Sequence, residues 1–190
     1  MLSEPWLEKF LGGVSGTLFM DIGANTGDWS LWAADRFTSV HAYEPDPRAA
    51  GILEKRCPCS VVLHRKAVGA EPGSGVLHTR QWHLQSTMLD EHPLGHGDSI
   101  DDVPVEVTSV TAERLGPDWI KIDVEGYEIE VIRGLPDARA GLIIECHGTF
   151  DEVVENIRAK GYFRTKKGVC VDHPLGIPDH NWLIVPGEHT

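Results

Sequence analysis

Residues 21–27, which read Asp-Ile-Gly-Ala-Asn-Thr-Gly, have the composition of a loop that could approach a nucleotide closely. Gly23 permits a tight turn, and Gly27 lets the backbone pass near a ligand as a helix begins. Together they would present helix N-terminal amides to an anionic group. The spacing is neither that of a GxGxxG dinucleotide motif nor that of a P-loop. An ordinary strand-to-helix turn is the plain alternative.

A second acidic position follows at the end of the next apolar run, in the sequence Tyr43-Glu44-Pro45. Glu44 lies about 20 residues after Gly23, where an acid at a neighbouring strand end accepts both hydroxyls of a ribose. An exposed acid at a strand end would be the bland interpretation. The combination of this spacing with the glycine segment favours nucleoside binding.

Charged residues interrupt two further apolar runs in the second half of the chain. Residues 121–126 read Lys-Ile-Asp-Val-Glu-Gly, and Glu145 and His147 close the next run. Charges at such positions cost free energy unless they face a cleft and pair. We therefore predict that Asp123, Glu125 and the 145–147 pair meet at one rim. They would form a general base with orienting partners, a divalent-metal site, or a salt-bridge network around the lysine.

Short apolar runs alternate with segments of helical periodicity, and this pattern predicts the elements that position these side chains. Strands are predicted at 18–22, 39–44, 60–68, 119–124, 141–146, 163–171 and 181–185. Helices are predicted at 28–37, 47–56, 127–135 and 150–161. Between them lie a hairpin at 75–79, an antiparallel strand at 103–110 and a helical turn at 111–115. Such alternation implies a mostly parallel sheet with helices on both faces, whose ligands bind at the carboxyl ends of the strands.

Composition limits the partners. The 190 residues include 17 Lys and Arg against 29 Asp and Glu, a formal net charge of −12. Such a surface repels phosphate backbones and anionic lipids, so we expect no nucleic acid and no membrane as partner. The four cysteines match neither a secreted framework nor a paired zinc motif, and the N-terminus resembles no targeting peptide. We expect one domain, residues 1–190, in the cytoplasm.

These segments together resemble the FkbM family of class I S-adenosylmethionine-dependent methyltransferases. The resemblance covers residues 18–150, and its most distinctive part is the Lys-Ile-Asp-Val-Glu-Gly segment. The matching segments are 20–27, 42–45, 67–69, 119–126 with Glu128, and 143–147. The resemblance implies a Rossmann-like class I α/β fold with a mostly parallel seven-stranded sheet, helices on both faces and an antiparallel C-terminal edge hairpin. It also implies O-methylation of a hydroxyl on a small molecule, sugar or other glycan, or natural product.

The resemblance also assigns residues to S-adenosylmethionine. The 21–27 loop would hold the methionine part, Glu44 with Pro45 the ribose, and Ala67 the adenine. The cofactor-binding residues expected on this basis are Asp21, Gly23, Ala24, Asn25, Gly27, Glu44, Pro45, Ala67 and Asp123. We expect His147 or Glu125 to remove the acceptor's proton, and Asp123 and Glu145 to orient that base.

Other functions stay open at this point. They are N-methylation of a small molecule or peptide, NAD-dependent oxidoreduction, and non-catalytic nucleoside binding, with or without a divalent metal. Residues 69–110 are expected to form a variable substrate-side insertion, in which Ser86-Thr87-Met88 resembles a hydroxyl-bearing segment of the family's variable loop. The lid over the acceptor would come from residues 73–102 or from a second copy in a homo-oligomer. His92 and His96 fall in that stretch and are expected in a solvated loop.

Overall fold

A computed structural model describes residues 5–80, 86–90, 101–137, 139–162, 169–172 and 180–187. Its strands are β1 (Gly16–Ile22), β2 (Phe37–Tyr43), β3 (Val61–His64), β4 (Ala67–Val68), β5 (Gly73–Thr79), β6 (Asp101–Thr108), β7 (Trp119–Ile122), β8 (Gly141–His147), β9 (Val169–Asp172) and β10 (His180–Val185). Its α-helices are α1 (Asp28–Ala34), α2 (Pro47–Arg56), α3 (Val110–Glu113), α4 (Glu128–Arg133) and α5 (Phe150–Ala159), preceded by a 3₁₀ helix at Pro5–Phe10. Within these ranges, every helix is too short or too polar to cross a membrane.

Seven strands form the central sheet in the order β3-β2-β1-β7-β8-β10-β9. The first five strands in this order, β3, β2, β1, β7 and β8, run parallel to one another. Strand β10 is antiparallel to both of its neighbours, β8 and β9. The predicted seven-stranded, mostly parallel sheet with an antiparallel C-terminal edge pair is therefore confirmed. From β1 the chain adds β2 and β3 on one side of the sheet, and it later adds β7 and β8 on the other side. The strand order thus reverses between β1 and β7, and ligands bind at such a point of reversal in open α/β sheets.

Successive side chains of a strand point to opposite faces of the sheet, so each face has its own core. On one face, Met20 and Ile144 pack with apolar residues of α4 and α5. On the other face, Phe19 and Ile143 pack with the tryptophans of α1. The predicted helices on both faces are thus confirmed, and the sheet is held rigidly from both sides.

The predicted third strand, 60–68, is wrong as one element. Residues 61–64 pair with β2 in the central sheet, but Ala67 and Val68 pair with β6 in a separate three-stranded sheet of order β4-β6-β5. The predicted hairpin at 75–79 is likewise wrong. These residues belong to one strand, β5, whose partner is the distant β6. Both errors arise because the pairing is made with residues far along the chain, which local pattern does not reveal.

Some predicted boundaries also move. The helix predicted at 28–37 ends at Ala34, because Phe37 already begins β2 and packs its ring 5.0 Å from that of Phe19. The predicted loop histidines His92 and His96, and residues 163–168 of the strand predicted at 163–171, lie outside the described residues.

The turn after β1 brings the ends of β1 and β7 into backbone contact. Gly23 has φ 71°, and a Cβ at this position would overlap the carbonyl oxygen of Asp123. The amide of Asp123 donates to the carbonyl of Ile22 at 3.1 Å, so the two chain segments are tied at the same place. Only glycine fits a left-handed turn that is this close to another backbone.

Replacing Gly23 by alanine is therefore expected to lower the free energy of unfolding by at least about 2 kcal/mol, through left-handed strain and the clash with Asp123. Gly51 is the matched control, since it lies inside α2 and a Cβ added there would meet nothing within 4 Å. Gly51→Ala should raise stability by about 0.5–1 kcal/mol through helix propensity. Urea denaturation of both variants measures the effects, and equal effects of the two would contradict this account of Gly23.

Candidate active site

A cleft of about 580 Å³, part of it open to solvent, lies at the carboxyl ends of β1, β2 and β7 and is walled by the second sheet. Its lining residues are Ile22, Gly23, Asn25, Tyr43, Glu44, Pro45, Lys66, Ala67, Val68, Leu77, Ser86, Met88, Asp123, Val124, Glu125 and Tyr127. The cleft brings together residues that the sequence singled out in both halves of the chain.

The turn after β1 presents Gly23 and Asn25 to the cleft. Asn25 has φ 50°, and its Oδ1 is buried without a hydrogen-bond partner among the residues that the structure describes. Ala24 and Gly27 do not line the cleft. Ala24 is buried, and a Cβ at Gly27 would contact Cys57 Sγ at 3.0 Å, so both residues support the turn from behind.

Glu44 is anchored by backbone amides on both of its carboxylate oxygens. Asn25 donates to Oε2 and Asp46 to Oε1, each at 2.7 Å. Burial raises the pKa of Glu44 to about 7, although the two amides act in the opposite direction. A carboxylate oxygen accepts two hydrogen bonds, so each still has capacity for a ligand hydroxyl.

Asp21 does not line the cleft, contrary to its predicted contact with the cofactor. It is fully buried, accepts a hydrogen bond from Ser30 Oγ at 2.6 Å and lies 3.4 Å from Lys121 Nζ. Burial raises its pKa in spite of that cation. Lys121 Nζ in turn donates to the carbonyl of Gly23 at 2.8 Å and lies 3.2 Å from Asp123. The role of Asp21 is therefore to support the lysine that fixes the turn.

The rim beyond Lys121 gathers the side chains predicted to do chemistry. His147 Nε2 lies 3.5 Å from Glu125 Oε2 and 3.9 Å from Asp123 Oδ1. Glu145 is buried, and its carboxyl group is hydrogen-bonded to that of Asp123. The convergence predicted for Asp123, Glu125 and His147 is therefore present, with Glu145 bonded to Asp123.

The charges at this rim change what His147 can do. Burial alone would lower its pKa, but the hydrogen bond to Glu128 and the facing Glu125 and Asp123 raise it to about 10. Burial would raise the pKa of Asp123, yet Lys121 and His147 hold it below its ordinary value. These acids therefore favour the protonated form of the imidazole.

Glu128 is a site residue whose role the sequence did not reveal. It is fully buried in the first turn of α4, and its Oε1 accepts from Gly126 N at 2.9 Å and lies 3.0 Å from His147 Nδ1. Its Oε2 accepts from Thr149 Oγ1 at 2.9 Å. An acid in the first turn of a helix is usually a helix-dipole partner, and the sequence singled out Glu128 only as part of a segment that resembles the FkbM family.

Asp123, Glu125 and His147 each offer one ligand atom, and these atoms lie within 4.8 Å of one another. Oxygen and nitrogen atoms at this separation suit a divalent cation. The same acids already face two internal cations, Lys121 and the protonated His147. The geometry thus allows either a metal site or the salt-bridge network that was predicted as its alternative.

Comparisons with known proteins agree with this geometry. The family model of the methyltransferase FkbM domain matches residues 21–163, well over half of the chain. A relative named Methyltransferase 1, from Beauveria bassiana, is 26% identical over an alignment 178 residues long, and the match covers 80% of this chain and 69% of that protein.

Two solved structures extend the comparison to the fold. A methyltransferase FkbM from Methylobacillus flagellatus superposes with a TM-score of 0.61 at 15% identity, over 90% of this chain but only 43% of the other. An rRNA methylase from Streptococcus thermophilus superposes with a TM-score of 0.55 at 12% identity, over 98% of both chains. The sheet order and the cleft at its point of reversal are thus those of a Rossmann-like class I methyltransferase, and the chain belongs to the FkbM family of S-adenosylmethionine-dependent methyltransferases.

Proposed function

We propose that this protein binds S-adenosylmethionine in the cleft and methylates a hydroxyl of a small molecule, glycan or natural product. The observation that carries the proposal is the presence of Asn25, Glu44 and Asp123 on one cleft whose far wall holds Glu125. When bound, the cofactor supplies a methyl group on a sulfonium sulfur, ready for in-line displacement. The protein has to align the nucleophile, exclude water and take up a proton.

The residues present fit this cofactor. Glu44 retains acceptor capacity for two ribose hydroxyls, and Asn25 lines the cleft beside it. Ala67, Leu77 and Met88 form an apolar wall that suits an adenine ring. The cofactor carries two positive groups, an ammonium and a sulfonium, and the acids of the rim complement them.

Glu125 is the residue we assign to proton removal. Its carboxylate lines the cleft, whereas His147 is protonated and buried behind it. His147 acts as a positioning cation: Glu128 holds its Nδ1, and its Nε2 faces Glu125. Asp123, backed by Glu145 and Lys121, is left to accept from the cofactor's amino group or from the acceptor.

A small or glycan acceptor agrees with the charge of the chain better than a nucleic acid does. The formal net charge of −12 opposes binding of a phosphate backbone. The rRNA methylase of similar fold is too distant to transfer its acceptor to this chain. We propose that residues 69–110 form the substrate side, since Leu77, Ser86 and Met88 of this stretch line the cleft. An amine acceptor is the alternative, because it also needs the methyl group aligned and a proton removed.

We further propose that the rim acids are balanced by Lys121 and His147 rather than by a divalent cation. A cation held by Asp123, Glu125 and His147 would have to displace the imidazole proton at Nε2 and weaken the 3.2 Å pair between Lys121 and Asp123. Metal binding would therefore disrupt the pairing of Lys121 and His147 with the rim acids, in a site that is partly buried.

Calorimetry with S-adenosylmethionine, S-adenosylhomocysteine and NAD tests the cofactor assignment. Both sulfur nucleosides should bind and NAD should not. Glu44→Gln should weaken S-adenosylhomocysteine binding about 10- to 100-fold, because charge-assisted hydrogen bonds to the ribose are lost. Glu54→Gln is the matched control, since that side chain is 66% exposed and paired with Arg65 on the surface. Binding of NAD but of neither sulfur nucleoside would overturn the proposed function.

The raised pKa of Glu44 predicts a pH dependence of that affinity. Ribose hydroxyls donate to the ionised carboxylate, and protonation competes with them below the pKa of about 7. Affinity for S-adenosylhomocysteine should therefore fall as the pH decreases through 7, by up to about tenfold per pH unit. Glu44→Gln should flatten this profile. An affinity that rises on acidification would contradict the assignment of Glu44.

Substitution of the base tests the chemistry. A screen of hydroxyl acceptors with S-adenosylmethionine labelled in the methyl group first identifies a substrate. On that substrate, Glu125→Gln should lower kcat by about 10²- to 10⁴-fold, the usual contribution of a general base. Glu155→Gln, an exposed acid on α5, should leave kcat unchanged.

The same assay separates the remaining alternatives. Near-wild-type turnover in both Glu125→Gln and His147→Ala would show that neither residue takes part in proton removal. Excess EDTA should leave turnover unchanged if Lys121 and His147 balance the rim. Loss of turnover that Mg²⁺ or Mn²⁺ restores would instead establish the metal site.

A further inference from the structure

One short segment of the substrate side contacts both halves of the cleft. Ser86 Oγ donates to Asp46 Oδ2 at 3.1 Å, beside the Glu44 end of the cleft. The next residue, Thr87, donates from Oγ1 to the carbonyl oxygen of Glu125 at 2.8 Å, at the catalytic end. Thr87 is 1% exposed, and its backbone pairs with His78 of β5 through two hydrogen bonds of 2.8 and 3.2 Å. The backbone of Thr87 is therefore held in place by β5, and this fixes the position of its hydroxyl.

The Glu125–Gly126 peptide is held on both of its polar atoms. Thr87 donates to its carbonyl oxygen, and its N–H donates to Glu128 Oε1 at 2.9 Å. Glu125 has φ 51°, a left-handed conformation that costs a residue other than glycine about 1 kcal/mol or more. Such a conformation persists only where neighbouring groups hold it. Two buried side chains, from different parts of the chain, hold this one.

The direction of the Glu125 side chain depends on this peptide. A residue's Cα–Cβ bond rotates with its backbone, so relaxation of the left-handed turn would swing the carboxylate away from His147. In the structure Glu125 Oε2 lies 3.5 Å from His147 Nε2, while Glu128 holds the other ring nitrogen. Glu128 therefore fixes the imidazole and one end of the peptide, and Thr87 fixes the other end.

We propose that Thr87 is a positioning residue for methyl transfer, whose hydroxyl keeps the Glu125 carboxylate aimed at the acceptor and at His147. The inference rests on the proposed function, in which Glu125 removes the proton. It also links the two ends of the cleft. Ser86 is bonded to Asp46, whose amide donates to Glu44 Oε1 at 2.7 Å, so the ribose acid and the base share one connecting segment.

The test compares three variants by a readout that needs no acceptor. Thr87→Val removes the hydroxyl at nearly constant shape, and Thr87→Ser keeps it. Thr111→Val removes a similar bond, from Thr111 Oγ1 to the carbonyl of Gly134 at 3.0 Å, at the end of α4 opposite to Glu128. Titration of the His147 ring by NMR reports the carboxylates that face it, namely Glu125, Glu128 and Asp123.

In Thr87→Val, the pKa of His147 should fall by at least about 0.5 unit, because the Glu125 carboxylate moves away. Thr87→Ser and Thr111→Val should titrate like the wild type, even though Thr111→Val also loses stability. A wild-type titration in Thr87→Val would show that Thr87 is merely structural and would overturn the proposal. If Thr87→Val fails to fold, Thr87→Cys replaces it, since a thiol is a weak donor. An unchanged titration in Thr87→Cys would overturn the proposal as well.

Calorimetry with S-adenosylhomocysteine on the same variants separates this inference from the proposed function. All three should bind within about twofold of the wild type, since Glu44 and Asn25 are untouched. If the wild type itself does not bind S-adenosylhomocysteine, the proposed function fails, whatever the His147 titration shows. If binding is normal and only the titration fails to respond, the proposed function stands and the role of Thr87 is wrong.

Discussion

The ammonium of Lys121 occupies the point where the two halves of the site meet, and much of the surrounding geometry depends on its charge. It is 1% exposed, and removal of an ammonium from water costs several kcal/mol unless partners compensate. Burial would lower its pKa, but Asp123 and Asp21 outweigh that effect and keep the group charged. Its bond to the Gly23 carbonyl then fixes the turn after β1 relative to the acid after β7. Without this cation, the buried carboxyl group of Asp21 and the partly exposed carboxylate of Asp123 would face each other with no positive charge between them.

Glu128 plays the corresponding part on the other side of the rim, with the sign of the charge reversed. One buried carboxylate meets the ring of His147, the amide of Gly126 and the hydroxyl of Thr149. The rim therefore has an inner layer formed by Lys121, His147 and Glu128. In this layer Glu128 pairs with His147, and Lys121 pairs with Asp21 and Asp123. Its outer layer consists of Asp123 and Glu125, which line the cleft. The inner layer supplies the fixed charges that let the outer carboxylates stay partly exposed and correctly directed.

The sequence predicts best those features of the fold and the site that are formed by residues close together in the chain. The turn at 23–27 and Glu44 were predictable, because a strand, a glycine turn and a helix are contiguous in the chain. The convergence of Asp123, Glu125 and His147 followed from strand ends that share one edge of a parallel sheet. The buried position of Asp21 was not predictable, since it depends on Lys121 lying directly opposite in the neighbouring strand. Thr87 is 38 residues from Glu125 in an irregular stretch, and no periodicity connects the two.

In the function that we propose, the charges at the rim favour a carboxylate over the imidazole as the base. On the proposed function, transfer to a hydroxyl converts a cationic donor and an ionised Glu125 into neutral products. A partly buried cleft disfavours charge, so this neutralisation is more favourable there than in water. A neutral His147 acting as base would instead leave the imidazolium as a positive charge in place of the sulfonium, with no net loss of charge from the cleft. The surrounding acids raise the pKa of His147, and this favours a ring that holds Glu125 over a ring that accepts the proton itself.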